Sequence, residues 1–147
     1  MQINCDINHQ HYQLEVEPTQ RVLDVIRSLG LTAAKEGCGE GECGACSIFF
    51  NDKLVNSCLL LAGQMHDAKI MTLEGLKEET KEIRHHFEHE GAIQCGFCTG
   101  GFELRALEYI QNGGAKDETA VREALDGNLC RCTGYQKIVD AIVKSCP

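Results

Sequence analysis

Residues Gly37 to Cys46 read GCGEGECGAC, with three cysteines, four glycines and two glutamates in ten positions. This is a poor recipe for a helix or a strand, because glycine loses more backbone freedom on ordering than any other residue. Three thiols set in so much bare backbone imply a loop wrapped tightly around something that the sulfurs hold. The spacing is Cys38-x4-Cys43-x2-Cys46, and Cys58 follows after eleven intervening residues.

The chain has ten cysteines, and eight of them fall into two groups of four. The second group is Cys95-x2-Cys98 with Cys130-x-Cys132. A spacing of x4 then x2 with a distant fourth cysteine matches plant-type [2Fe–2S] ligation. Such a core, held by four thiolates, is negatively charged, and reduction adds more charge. Backbone N–H groups aimed at the sulfurs stabilise that charge and help to set the potential. Aiming successive amides inward calls for φ values that glycine adopts cheaply, and Gly37, Gly39, Gly41 and Gly44 are placed to supply them. Zinc is the competing occupant, since it also takes four cysteines. Its structural sites show short paired spacings on both sides, which suits the second group better than the first. Disulfides are a third option. Cys5, following a strand-like alternation, and Cys146, ending the last helical pattern, read as structural.

The 147 residues leave room for one ordinary domain or two small ones. Apolar residues make up 43% but aromatics only 5%, with no tryptophan, so the core is lean and in need of staples. A formal net charge of −8 argues against nucleic acid, which rewards clustered Lys and Arg, and against anionic membrane surfaces. No run reaches the ~20 apolar residues of a membrane span. The opening MQINCDINHQH lacks the basic start and apolar stretch of a secretory signal. A cytoplasmic location is therefore expected, and there a cysteine-rich pattern points to metal or catalysis rather than to disulfides.

The first half reads as β-rich. Ile3, Cys5 and Ile7 alternate with polar residues, NHQH suits a turn, and Tyr12, Leu14 and Val16 alternate again. Thr19 is placed to cap a short helix carrying Val22, Leu23, Ile26 and Leu29, stopped by Gly30. SIFF and KLV flank Asn51-Asp52 as a second hairpin, and KIMTL (Lys69 to Leu73) suits a closing strand. Leu76 to Thr80 is polar and reads as a linker, and the acidic run Glu74 to Glu82 as a solvated one. Beyond it, apolar residues recur every three or four positions. The stripes are Ile83 and Phe87; Phe102, Ala106, Leu107 and Ile110; Ala120, Val121, Ala124 and Leu125; and Tyr135, Ile138, Val139, Ile142 and Val143. The expectation is an α+β protein: a β-rich unit over residues 1–75, then a four-helix bundle over 76–147, each with its own four cysteines.

GCGEGECGAC, VNSCL (Val55 to Leu59), GAIQCGFCTGG (Gly91 to Gly101) and GNLCRCTGYQKIV (Gly127 to Val139), in that order, resemble the small iron–sulfur subunit of the molybdenum hydroxylases. This is the family of xanthine dehydrogenase, aldehyde oxidoreductase and carbon monoxide dehydrogenase. The resemblance runs from about Gln2 to Val143. It implies a β-grasp, ferredoxin-like domain followed by a four-helix domain, and two [2Fe–2S] clusters. Cys38, Cys43, Cys46 and Cys58 would hold the one nearer a flavin. Cys95, Cys98, Cys130 and Cys132 would hold the one nearer a molybdenum–pterin cofactor. Gln94 and Cys132 match positions that touch the pterin, and Glu40 and Gly41 match the loop on the flavin side. The implied role is relay of electrons from a large molybdenum subunit to FAD on a medium subunit, or to another acceptor, in a dimer of heterotrimers. The chain itself would supply no acid, base or nucleophile.

Two positions depart from the family pattern. Gly100 stands where many relatives have proline, which should loosen that helix start, and Arg84 stands where relatives often have Gln. His85, His86 and His89 lie close together, and His85 and His89 have the one-turn spacing that can bind metal. No acidic ligand partner accompanies them, and they read as a surface helix face. A free-standing ferredoxin and a zinc-stapled interaction module are the competing functions. The relay reading predicts a red-brown protein with about four irons and four inorganic sulfides per chain that co-purifies with larger subunits. A colourless zinc protein would refute it.

Overall fold

The computed structural model describes all 147 residues. Strands β1 (Gln2–Ile7) and β2 (Gln10–Glu15) pair antiparallel, with Ile7 opposite Gln10. The turn is therefore only Asn8-His9, tighter than NHQH suggested. Both residues have positive φ, 52° and 65°, as a two-residue hairpin turn that follows the strand twist requires. Helix α1 (Val22–Ser28) comes next. Its cap is not Thr19 but Arg21, which offers no side-chain cap. A tertiary contact does that work. Arg21 bridges to Leu61, and the Val22 N–H donates to the Leu60 carbonyl at 2.8 Å, so a neighbouring loop satisfies an orphan amide of the first turn.

Strands β3 (Ser47–Phe50) and β4 (Lys53–Asn56) form the second hairpin, turned by Asn51 and Asp52, both at positive φ. The expected closing strand, β5 (Lys69–Met71), lies in the middle of the sheet. The order is β2-β1-β5-β3-β4, with β5 parallel to β1 and antiparallel to β3. Successive side chains of a strand point to opposite faces, and this sheet uses both. Ile48 and Ile70 face α1, in a core with Ile3, Ile7, Leu23 and Ile26. Phe49 and Met71 face the other way, into a second core built by helices.

Those helices are α2 (Lys81–His89), α3 (Thr99–Gln111), α4 (Glu118–Ala124) and α5 (Gln136–Ser145). Phe87, Phe102, Leu104, Ile138 and Ile142 are buried where they meet. Asp117 caps α4 by accepting from the Ala120 N–H at 2.8 Å. The molecule is thus mixed α/β, a five-stranded sheet with one helix on one face and helices on the other. No helix is long and apolar enough to cross a membrane.

The stretch read as a solvated linker is docked along much of its length. Lys77, Glu78 and Glu79 are exposed, but Leu76 and Thr80 are buried. The Thr80 hydroxyl donates to the Leu76 carbonyl at 2.8 Å and accepts from Arg84. The Glu74 carboxylate accepts from the Ala33 N–H at 2.8 Å and from the Thr72 hydroxyl at 2.6 Å. Polar composition hid this because the polar atoms are paired within the seam rather than hydrated. Gly100 is similarly enclosed: a Cβ there would meet Leu73 at 3.3 Å and the Ala33 carbonyl at 3.4 Å.

Where α3 begins, the two halves meet glycine on glycine. A Cβ at Gly101, in the first turn of α3, would come within 2.3 Å of the Gly44 carbonyl oxygen. Backbone atoms cannot swing away from such a contact. Gly101→Ala should therefore destabilise the metal-loaded protein by about 1–3 kcal/mol, the usual scale of overpacking. Chemical denaturation of the two proteins side by side measures it, and equal midpoints would show that the seam yields.

Candidate metal centres

The first group of cysteines lies on the loop between α1 and β3 and on the helical turn after β4. Three amides of that loop converge on one sulfur. The N–H groups of Glu40, Glu42 and Cys43 all donate to Cys38 Sγ, at 3.4, 3.3 and 3.4 Å. The amides of Glu40 and then Cys43 contribute most to holding this thiol down to about 7. Cys58 shows the opposite effect. Burial, and then its contact with the Cys46 thiol, push it up to about 11. Gly37 has a different use from the one its sequence context suggested. Its φ is not positive, unlike those of Gly39, Gly41 and Gly44; what it supplies is space. A Cβ at Gly37 would lie 2.7 Å from Cys43 Sγ. The loop's other end is anchored by Arg21, which binds Asp24 and Glu36 at once, at 2.8 and 2.6 Å.

The second group joins the start of α3 to the loop before α5. Cys98 and Cys130 adjoin, as do Cys95 and Cys132. Burial, then the Cys130 neighbour, push Cys98 up to about 12. Cys130 is held below the usual thiol range although burial opposes this. The Thr133 hydroxyl, 3.1 Å from its sulfur, and the amides of Thr133 and Cys132 outweigh the burial. Cys95 and Cys132 are exposed, as are Gln94 and Glu40, while Gly41 is half-buried under Leu59.

Each group of four thus divides into adjoining pairs: Cys38 with Cys43 and Cys46 with Cys58, then Cys98 with Cys130 and Cys95 with Cys132. No three Cys, His, Asp or Glu side chains close on a point suited to one ion. A two-iron core takes two thiolates per iron, so pairs are the donor set it needs. A single tetrahedral zinc needs four ligands about one centre. The residues present therefore fit [2Fe–2S] cores. The cradle that a Gly37 side chain would fill, and the amides already aimed at Cys38, fit the same group.

The two groups are joined directly. The Leu129 N–H, next to Cys130, donates to the Cys43 carbonyl at 3.0 Å. Gly44 lies against Gly127 and Asn128, and a Cβ there would come within 2.4 Å of the Asn128 side chain. Sequence reasoning missed Leu129, Asn128, Thr133 and Tyr135 as parts of this arrangement. The available signal was a lone Asn128 after Gly127 and just before the second cysteine pair; the structure buries it at 3% exposure. His85, His86 and His89 lie apart from both centres on α2, their ring centroids 5.6 and 6.3 Å from one another in the two close pairs.

Known proteins resemble this chain in sequence and in fold. Residues 5–81 match the family model of the 2Fe-2S iron-sulfur cluster binding domain, and residues 72–143 match that of the [2Fe-2S] binding domain. The chain is 43% identical over 143 residues to the nicotinate dehydrogenase small FeS subunit of Eubacterium barkeri, covering 95% of this chain and 91% of that one. It is 38% identical over 145 residues to the xanthine dehydrogenase iron-sulfur-binding subunit of Escherichia coli O157:H7, covering 96% and 91%. Among solved structures, quinoline 2-oxidoreductase from Pseudomonas putida 86 superposes with a TM-score of 0.91 at 40% identity, over 97% of this chain and 90% of that chain.

Gly37→Ala should displace the Cys43 sulfur and strip the first centre while sparing the second. Iron per chain should then fall to about half. Iron and sulfide analysis of the purified variant reads this directly, and a full complement would mean that the loop accommodates the methyl group.

Proposed function

The chain belongs to the family of iron–sulfur subunits of the molybdenum hydroxylases, oxidoreductase complexes in which it is an electron-transfer subunit, and on that footing we propose how its parts divide the task. Residues 1–75 form the ferredoxin-like unit and residues 76–147 a four-helix bundle. Cys38, Cys43, Cys46 and Cys58 hold one [2Fe–2S] core, and Cys95, Cys98, Cys130 and Cys132 hold the other. When bound, each core supplies one-electron oxidation and reduction. The protein supplies position, charge and exclusion of water. The amides of Glu40, Glu42 and Cys43 stabilise negative charge at Cys38. The packed seam of Gly44, Gly101 and Asn128 holds the two loops at fixed separation.

The observation that carries this reading is the Leu129-to-Cys43 hydrogen bond. A shuttle between separate enzymes needs one exposed centre. A chain that fastens one four-cysteine loop to another by its backbone is built for transfer within itself. The exposed Cys95, Cys132 and Gln94 suit the side facing a pterin-bearing large subunit. Glu40 and Gly41, at the opposite loop, suit the side facing FAD on a medium subunit or another acceptor. The assembly proposed is a dimer of such heterotrimers. Its place is the cytoplasm, where thiols stay reduced and a cysteine-rich pattern serves metal.

Cys43→Ser should abolish the signal of the first cluster and leave that of the second largely intact. Electron paramagnetic resonance of the dithionite-reduced complex tests this, and loss of both signals together would refute independent sites. Gln94→Ala should leave both signals unchanged and slow substrate turnover of the assembled complex by roughly tenfold, on the scale of losses around metal centres. Turnover equal to that of the unaltered complex would count against a pterin contact.

A further inference from the structure

The loop between Cys130 and α5 holds a turn that its sequence alone would not favour. Tyr135 has φ 72° and ψ −30°, with the Gln136 N–H donating to the Gly134 carbonyl at 3.0 Å. This approaches the geometry of a γ-turn, which is strained for a bulky residue. Such strain persists only where surrounding contacts hold it. Here they are explicit. The Tyr135 ring packs edge-on against Phe102, with centroids 6.3 Å apart. Its phenol oxygen accepts from the Cys130 N–H at 3.0 Å, and its own N–H donates to Thr133 Oγ1 at 3.2 Å. That donation occupies the hydroxyl's acceptor side and turns its proton towards Cys130 Sγ, 3.1 Å away.

We propose that Thr133, oriented by the strained turn at Tyr135, is a positioning residue that raises the reduction potential of the second cluster through a hydroxyl hydrogen bond to Cys130 Sγ. The proposal rests on the assignment of Cys130 as a cluster ligand. A cluster-bound thiolate can only accept, so the shared proton belongs to the hydroxyl. A donor to that sulfur stabilises the more negative, reduced state more than the oxidised one and so raises the potential. The chain from the Tyr135 N–H through the Thr133 hydroxyl to sulfur strengthens each link by polarisation. Thr133 is the one side chain other than cysteine that hydrogen-bonds any of the eight sulfurs. The first centre relies on backbone amides at Cys38, which substitution does not remove. The two potentials are therefore separately adjustable, the second through a single side chain.

The test is a redox titration of the assembled holoenzyme followed by electron paramagnetic resonance, with each cluster's signal read separately. Thr133→Val keeps the side-chain shape and removes the hydroxyl. It should move the second cluster's midpoint to more negative potential and leave the first unchanged, while Thr133→Ser should hold both near their original values. An unmoved second midpoint in Thr133→Val overturns the proposal, as does an equal shift in Thr133→Ser. Hyperfine spectroscopy of the unaltered enzyme after transfer to deuterated water needs no variant to fold. An exchangeable deuteron of hydroxyl type coupled to the second cluster supports the proposal, and its absence overturns it. If the unaltered enzyme shows only one [2Fe–2S] signal, the two-cluster assignment fails first. Two signals with an unmoved midpoint sink only the role of Thr133.

Discussion

One backbone hydrogen bond, from the Leu129 N–H to the Cys43 carbonyl, ties the two halves of the molecule at the point where their cysteine loops meet. Alone it is worth only about 1 kcal/mol. Its importance lies in what must be true for it to form. Gly44 must lack a side chain, because Asn128 and the Gly127 carbonyl occupy that space. Gly101 must lack one too, because α3 begins directly against Gly44. Phe49 and Met71 must turn away from the sheet's own core to pack with the helices. The seam is therefore a continuous packed surface rather than a flexible joint. That constraint is what a fixed pair of electron carriers requires, since transfer between them depends on an unchanging separation.

The two centres reach a similar end by different chemistry. The first is wrapped by a loop whose amides point at one sulfur. A glycine-rich segment can do this because the left-handed conformations at Gly39, Gly41 and Gly44 cost it little. The second is framed by the loops that precede α3 and α5, where the amides of Thr133 and Cys132 act on Cys130 beside a side-chain donor. Side chains take over part of the role there. The Thr133 hydroxyl contacts sulfur, and the Tyr135 phenol accepts the Cys130 amide. The consequence is a difference in how evolution or engineering could alter the two sites. A side-chain donor can be removed by one substitution, while a backbone donor is removed only by changing the path of the chain.

The buried carboxylate of Glu103 has a nearby charge but no hydrogen-bonded partner. Glu103 is 3% exposed and its Oε2 has no hydrogen-bond partner; burial raises its pKa, opposed by Arg84 at 3.7 Å. Arg84 is held in place by the Thr80 hydroxyl at 2.8 Å. Partial compensation by a charge at that distance is weaker than a direct pair, and it links α2, α3 and the connecting segment electrostatically.

Much of this was legible in the residues themselves. Local chemistry writes directly into sequence: thiol spacing, glycine where the backbone must turn, and apolar periods of two and of three to four. These located both hairpins, the helical stripes and the short cysteine spacings, because each signal depends on neighbours within a few positions. What was not legible depended on residues distant in the chain. The cap of α1 was misread because Leu60 and Leu61, not Thr19, complete its first turn. The linker read as solvated because its partners, Ala33 and Arg84, lie elsewhere in the chain. Gly37 was assigned a conformational role when its function is to leave room for a sulfur six residues on. The spacing of the thiols singled out two groups of four cysteines from local pattern alone. Only the tertiary structure decided how they pair, how the two loops are fastened together and which hydroxyl reaches a sulfur, since those follow from packing between segments that no local pattern encodes.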